Sequence, residues 1–126
     1  MGKTVINSDT KIEGYISSQT DLSIYGEVKG KIQVKQIVSL EYGCNVTGEI
    51  FAKELIVKGV FNGDADCDTI SILEGGHLIG NIKSKTLIID SKGSFEGKTK
   101  MKKHNNTKII KKKRVYKELD TENVLL

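Results

Sequence analysis

The sequence predicts an all-β fold, a three-sided parallel β-solenoid of about six stacked coils followed by a basic tail. Three observations predict it. Across residues 5–99 apolar residues recur at a spacing of two, with no stretch of helical period. A glycine returns at nearly even intervals, as Gly14, Gly30, Gly48, Gly63, Gly80 and Gly97. The positions two before and two after these glycines are apolar in eleven of twelve cases, a regularity that marks a repeat architecture.

Residues 1–8 form a short polar lead-in, and residues 9–99 carry the repeat. Before each recurring glycine stands Ile12, Val28, Val46, Phe61, Leu78 or Phe95; after it stands Ile16, Ile32, Ile50, Ala65, Ile82 or Thr99. Five of the glycines are also preceded by a second apolar pair: Leu22 and Ile24, Val38 and Leu40, Leu55 and Val57, Ile70 and Ile72, Leu87 and Ile89. The link from that pair to the glycine is short in "IYGEVKG" and "VKGVFNG". It is two residues longer in "LEYGCNVTG", "LEGGHLIG" and "IDSKGSFEG". Seventeen extended residues trace roughly 55 Å, which closes into three sides of about five or six residues each. Coils of this kind stack about 4.8 Å apart and pair like with like, giving ladders of Ile on Ile and Val on Val. The recurring glycine shares the parity of its apolar neighbours and is expected to point inward. Either a side chain there would crowd the core, or the corner demands a backbone angle that only glycine tolerates. Lysines, aspartates and glutamates on the opposite parity make the outer faces solvated.

Charge divides the chain. Residues 1–99 are nearly neutral, at −2, whereas residues 100–126 carry +6. That last stretch has no glycine and no alternation, and reads as a flexible tail. No apolar run is long enough to span a membrane, and the start lacks the layout of a signal peptide. Ile6 stands where a myristoylation site needs Ser or Thr.

Residue chemistry points away from an enzyme. Asp64, Asp66 and Asp68 share a strand face, but Thr69 and Gly75 occupy the positions where a calcium loop needs Gly and Glu. His77 and His104 have no evident nucleophile and carboxylate to complete a triad. Cys44 and Cys67 form no C-x-x-C pair; Cys67 reads as core and Cys44 as a turn residue. The glycines lie between strands, so none opens a phosphate-binding helix. No cofactor and no metal is expected.

The stretches "TKIEGYI", "LSIYGEVKGKI", "GCNVTGEIFAKELIVKGVFNG", "GGHLIGNI" and "GSFEG" together resemble a bactofilin over roughly residues 8–99. The resemblance implies a right-handed β-helix and a bacterial cytoskeletal protein that polymerises end to end without nucleotide. It also implies a scaffold for cell-wall and cell-shape enzymes at the inner face of the cytoplasmic membrane. Many relatives carry a longer, apolar N-terminal segment that binds membrane. "MGKTVINSDT" departs from that pattern and argues against attachment through this end.

Assembly would use the two terminal coils. At the N-terminal coil the candidates are Ile12 and Ile16. At the C-terminal coil they are Leu87, Ile89 and Phe95, unless Phe95 packs within its own coil or Ile109 and Ile110 fold back over it. Lys111, Lys112, Lys113 and Arg114 are the candidates for a contact with a partner protein or an anionic lipid surface. With Tyr116 as the only aromatic beside them, they make a poor nucleic-acid site. Two other readings compete. One is a soluble adaptor that binds through its tail without polymerising. The other is a left-handed β-helix acyltransferase, disfavoured because its strict hexapeptide repeats would hold every coil to one length, whereas the glycine intervals here vary.

Overall fold

The computed structural model describes residues 3–101, and among them every regular element is a strand. In chain order these are β1 (Lys3–Ile6), β2 (Lys11–Ser18), β3 (Asp21–Ile24), β4 (Glu27–Val34), β5 (Ile37–Leu40), β6 (Asn45–Val57), β7 (Val60–Ile72), β8 (His77–Ser84), β9 (Thr86–Ile89) and β10 (Ser94–Met101). All of their pairings are parallel. One column stacks β2, β4, the first halves of β6 and β7, then β8 and β10. A second column stacks β1, β3, β5, the second halves of β6 and β7, then β9. Two columns of six strands make a β-solenoid of about six turns.

The register is the one that the repeat predicts. Val28, Val46, Phe61, Leu78 and Phe95 align in one ladder, and Ile32, Ile50, Ala65, Ile82 and Thr99 in another. All ten are buried, as are Leu22, Ile24 and their successors through Ile89. Stacking identical positions lets each rung cover the next, so a thin chain with few aromatics encloses a continuous aliphatic core.

The glycine column has a different cause from crowding of the core. Its members are half-buried or exposed rather than enclosed, and their φ values lie between +133° and +144°, a region almost confined to glycine. Each bends a strand into a corner. A Cβ built on Gly63 would fall on the carbonyl oxygen of Gly48 in the preceding coil, not on any core side chain. The missing side chain leaves room along the stack, and the inward orientation expected from parity does not hold at this corner.

The solenoid also starts earlier than the repeat suggests. Thr4 and Ile6 of β1 sit over Leu22 and Ile24, so the lead-in assigned to residues 1–8 supplies a sixth member of the second column. Polar Thr4 hides the pair in the sequence. The longer links are β-turns closed by a backbone bond from the fourth residue to the first: Thr10 to Asn7, Cys44 to Glu41, Gly76 to Leu73 and Gly93 to Asp90. Cys44 lies in such a turn yet is 1% exposed, so it belongs to the core as well.

Side-chain volume is matched within each coil. The two coils with Phe before the corner have a small residue after it, Phe61 with Ala65 and Phe95 with Thr99; the other four have Ile there. The backbone sets a constant cross-section, so a ring on one side leaves less room on the other. Ala65→Ile is therefore expected to cost about 1–3 kcal/mol by overpacking, and Phe61→Val in the same chain should recover most of it. Denaturant unfolding of both single variants and the double variant checks this; strictly additive losses would refute the volume match.

Candidate assembly interface

A stack of parallel rungs leaves backbone donors and acceptors unpaired on its first and last strands, and side chains on the outer faces do nothing to satisfy them. Among the described residues the open edges at the N-terminal end belong to β1 and β2, which pair only with β3 and β4. Ile12 and Ile16 of β2 pack against the core but keep partial exposure, because no described rung precedes them. Val5 of β1 and Tyr15 of β2 are exposed at this end, and the Tyr15 hydroxyl donates to Gln33 Oε1 in the next coil at 2.9 Å. Gly14 is the one member of the corner column whose Cβ position is empty, since the described stack ends above it.

The C-terminal end is built differently. Among the described residues β9 and β10 pair only backwards, with β7 and β8. Their inward residues are nonetheless enclosed: Leu87 and Ile89 are 0% exposed and Phe95 is 2% exposed, lying in register over Leu78. A charge placed at Phe95 would therefore bear on folding before it bore on assembly. Lys111, Lys112, Lys113 and Arg114 lie outside the described residues, as do His104, Ile109 and Ile110.

The flanks hold rung to rung through modest contacts. Lys58 pairs with Glu41 at 3.5 Å, and Glu41 also accepts from the Ser39 hydroxyl at 2.7 Å. The Lys31 ammonium lies 5.2 Å from the centre of the Phe51 ring. Partly exposed pairs of this kind are each worth about 1 kcal/mol or less. Cys44 and Cys67 are both buried, and burial pushes the Cys44 thiol up to about 11. A thiol so far above neutrality stays protonated and is a poor nucleophile. The Asp64 carboxylate accepts from Asn81 Nδ2 at 3.3 Å. Among the described residues no three His, Cys, Asp or Glu side chains converge in a way that could hold a metal ion. No helix among them is long and apolar enough to cross a membrane.

The repeat located Ile12 and Ile16 but missed β1, whose signal was Ile6 standing one repeat before Ile24. Comparison with known proteins agrees with the architecture. The family model for bactofilins, described as polymer-forming cytoskeletal, matches residues 4–100. The chain is 32% identical to bactofilin BacO of Myxococcus xanthus (strain DK1622) over 102 residues, covering 80% of this chain and 81% of BacO. It is 26% identical to bactofilin BacP of the same organism over 99 residues, covering 78% of this chain and 41% of BacP. No solved structure matches it significantly.

Proposed function

Because the chain belongs to the bactofilin family of polymer-forming cytoskeletal proteins, we propose that it assembles end to end into filaments without nucleotide. In this reading the filament scaffolds cell-wall or cell-shape machinery at the inner face of the cytoplasmic membrane. The role is structural rather than catalytic. The observation that carries the reading is the open N-terminal coil: an eight-residue strand, β2, with an unpaired edge above half-exposed Ile12 and Ile16. A second molecule laid on that edge pairs its backbone and buries both isoleucines, each worth up to about 1.5–3 kcal/mol on full burial. Lys111, Lys112, Lys113 and Arg114 would then supply a salt-sensitive contact with an anionic lipid surface or a cell-wall-associated partner.

Ile16→Lys tests the assembly. The long side chain can carry its charge out to solvent, so the variant should keep the wild-type β signature and unfolding midpoint to within a modest shift. By electron microscopy and sedimentation it should give small species where the wild type gives filaments. Filaments of normal length from folded Ile16→Lys protein would remove the N-terminal coil from the interface. A wild type that stays monomeric would favour the adaptor reading instead.

A further inference from the structure

The corners that lead from the second column into the first differ in length along the stack. Four of them are turns of four residues, 7–10, 41–44, 73–76 and 90–93. The two others are cut to a pair, Tyr25 with Gly26 and Lys58 with Gly59. Each short corner tucks beneath the turn before it: a Cβ on Gly26 would strike the carbonyls of Asn7 and Thr10, and one on Gly59 that of Glu41. A recess is left between the longer turns on either side.

The recess at Lys58 is filled from within the chain. The Tyr42 ring reaches across it from the turn of residues 41–44. Lys58 Nζ lies 5.8 Å from the centre of that ring, and a Cβ built on Gly75, on the far side, would lie 3.1 Å from Tyr42 Cε1. Glu41 completes the group at 3.5 Å from Lys58. Ring, ammonium and carboxylate meet in one place.

The recess at Tyr25 has the same walls and a different filling. Ser8 holds the place in its turn that Tyr42 holds in the later one, and is too short to cross. A Cβ on Gly43, the counterpart of Gly75, would meet nothing within 4 Å. Tyr25 takes the position of Lys58 in the backbone register and is 43% exposed. The cleft that remains is lined by Asn7, Ser8, Asp9 and Tyr25. It holds a ring and a carboxylate; what the filled recess has and this one lacks, among the described residues, is the ammonium.

We propose that the Tyr25 recess receives the side chain of a lysine carried by another protein chain. The ammonium sits on the Tyr25 ring and faces the Asp9 carboxylate, and the side-chain oxygens of Asn7 and Ser8 are further acceptors. Asp9 repels an anion, and the polar lining would be left without partners by an apolar group. Lysine is also the cation that this chain itself sets on aromatic rings, Lys58 on Tyr42 and Lys31 on Phe51. The site lies on a corner and not on the strand edge offered to a second copy, so it does not depend on filament assembly.

The probe is Nα-acetyl-lysine methylamide, followed through the ring signals of isotope-labelled tyrosine, in solution or by magic-angle spinning where the protein has assembled. Tyr25 should shift saturably, while exposed Tyr15 and Tyr42, already in contact with Lys58, stay in place. The Nε-acetylated probe keeps the stem and loses the charge, and should bind about tenfold more weakly. Asp9→Asn and Tyr25→Leu should each weaken binding about two- to fivefold, read for the second on the amides of Asn7 and Ser8. Tyr25→Phe should preserve it, because the ring face and not the hydroxyl makes the contact. Both residues are exposed, so these substitutions leave the core alone. A Tyr25 signal that ignores the probe, answers the acetylated probe equally or is matched by Tyr15 overturns the proposal. Binding that survives both Asp9→Asn and Tyr25→Leu overturns it as well. Without any probe, a Tyr25 signal that moves with protein concentration, and stops doing so in Asp9→Asn, makes a second copy the donor of the lysine. A signal that stays fixed assigns the donor to a different protein.

Discussion

Ile50→Asp is expected to abolish cooperative folding at neutral pH. Ile50 is fully enclosed and lies between Ile32 and Ala65 in the inner ladder. The substitution removes about 1.5–3 kcal/mol of apolar burial and puts an unpaired carboxylate among aliphatic neighbours. Desolvating that charge costs several kcal/mol more, against a total stability of about 5–15 kcal/mol for a domain. The sign of the pH dependence follows. Burial would raise the folded-state pKa of the new Asp above its unfolded value of about 3.9, so the deficit grows as pH rises past that value and shrinks on acidification. Circular dichroism and thermal unfolding between about pH 4 and 8 check both parts. Ile82→Asp, at a position 2% exposed, should behave alike. A cooperatively unfolding Ile50→Asp protein with wild-type β signal at neutral pH would refute the stacked core.

Gly63→Ala should be nearly as damaging, and its comparison with Gly14→Ala separates two causes. Both glycines hold positive φ, +144° at Gly63 and +134° at Gly14. An alanine at either would carry backbone strain of about 1–3 kcal/mol. Only at Gly63 would the new methyl strike backbone, the carbonyl oxygen of Gly48; above Gly14 the space is empty. That collision has no flexible side chain to yield and must spread two rungs, adding an overpacking cost of about 1–3 kcal/mol or more. Gly14→Ala should therefore lower the unfolding free energy modestly, and Gly63→Ala by at least about twice as much. Equal losses in denaturant titrations would show that φ alone explains the column.

Much of this fold was legible because a solenoid repeats one local decision. Each coil restates the same alternation, so Val28, Val46, Phe61, Leu78 and Phe95 could be aligned from spacing alone, and their parallel register followed. The pairing of Phe61 with Ala65 and of Phe95 with Thr99 was equally visible as a pattern. Its reason, a fixed cross-section, needs the coil. The N-terminal assembly surface was half legible: Ile12 and Ile16 announced an apolar first rung, but β1 did not, because Thr4 breaks the apolar pair.

By itself the sequence determined the all-β class, the parallel register of the ladders, the inward residues and the basic character of the tail. Those properties depend on periodicity and composition, which are written along the chain. Tertiary structure alone decided three further matters. It placed the glycine column at corners that face the backbone of the preceding coil, because the direction of a missing Cβ depends on φ and on what lies one rung away. It drew Cys44 out of an apparent turn and into the core. It also enclosed Leu87, Ile89 and Phe95 while leaving Ile12 and Ile16 half open. Burial at the ends of a stack depends on which side chains pack against the terminal rungs in three dimensions, which no period along the chain records.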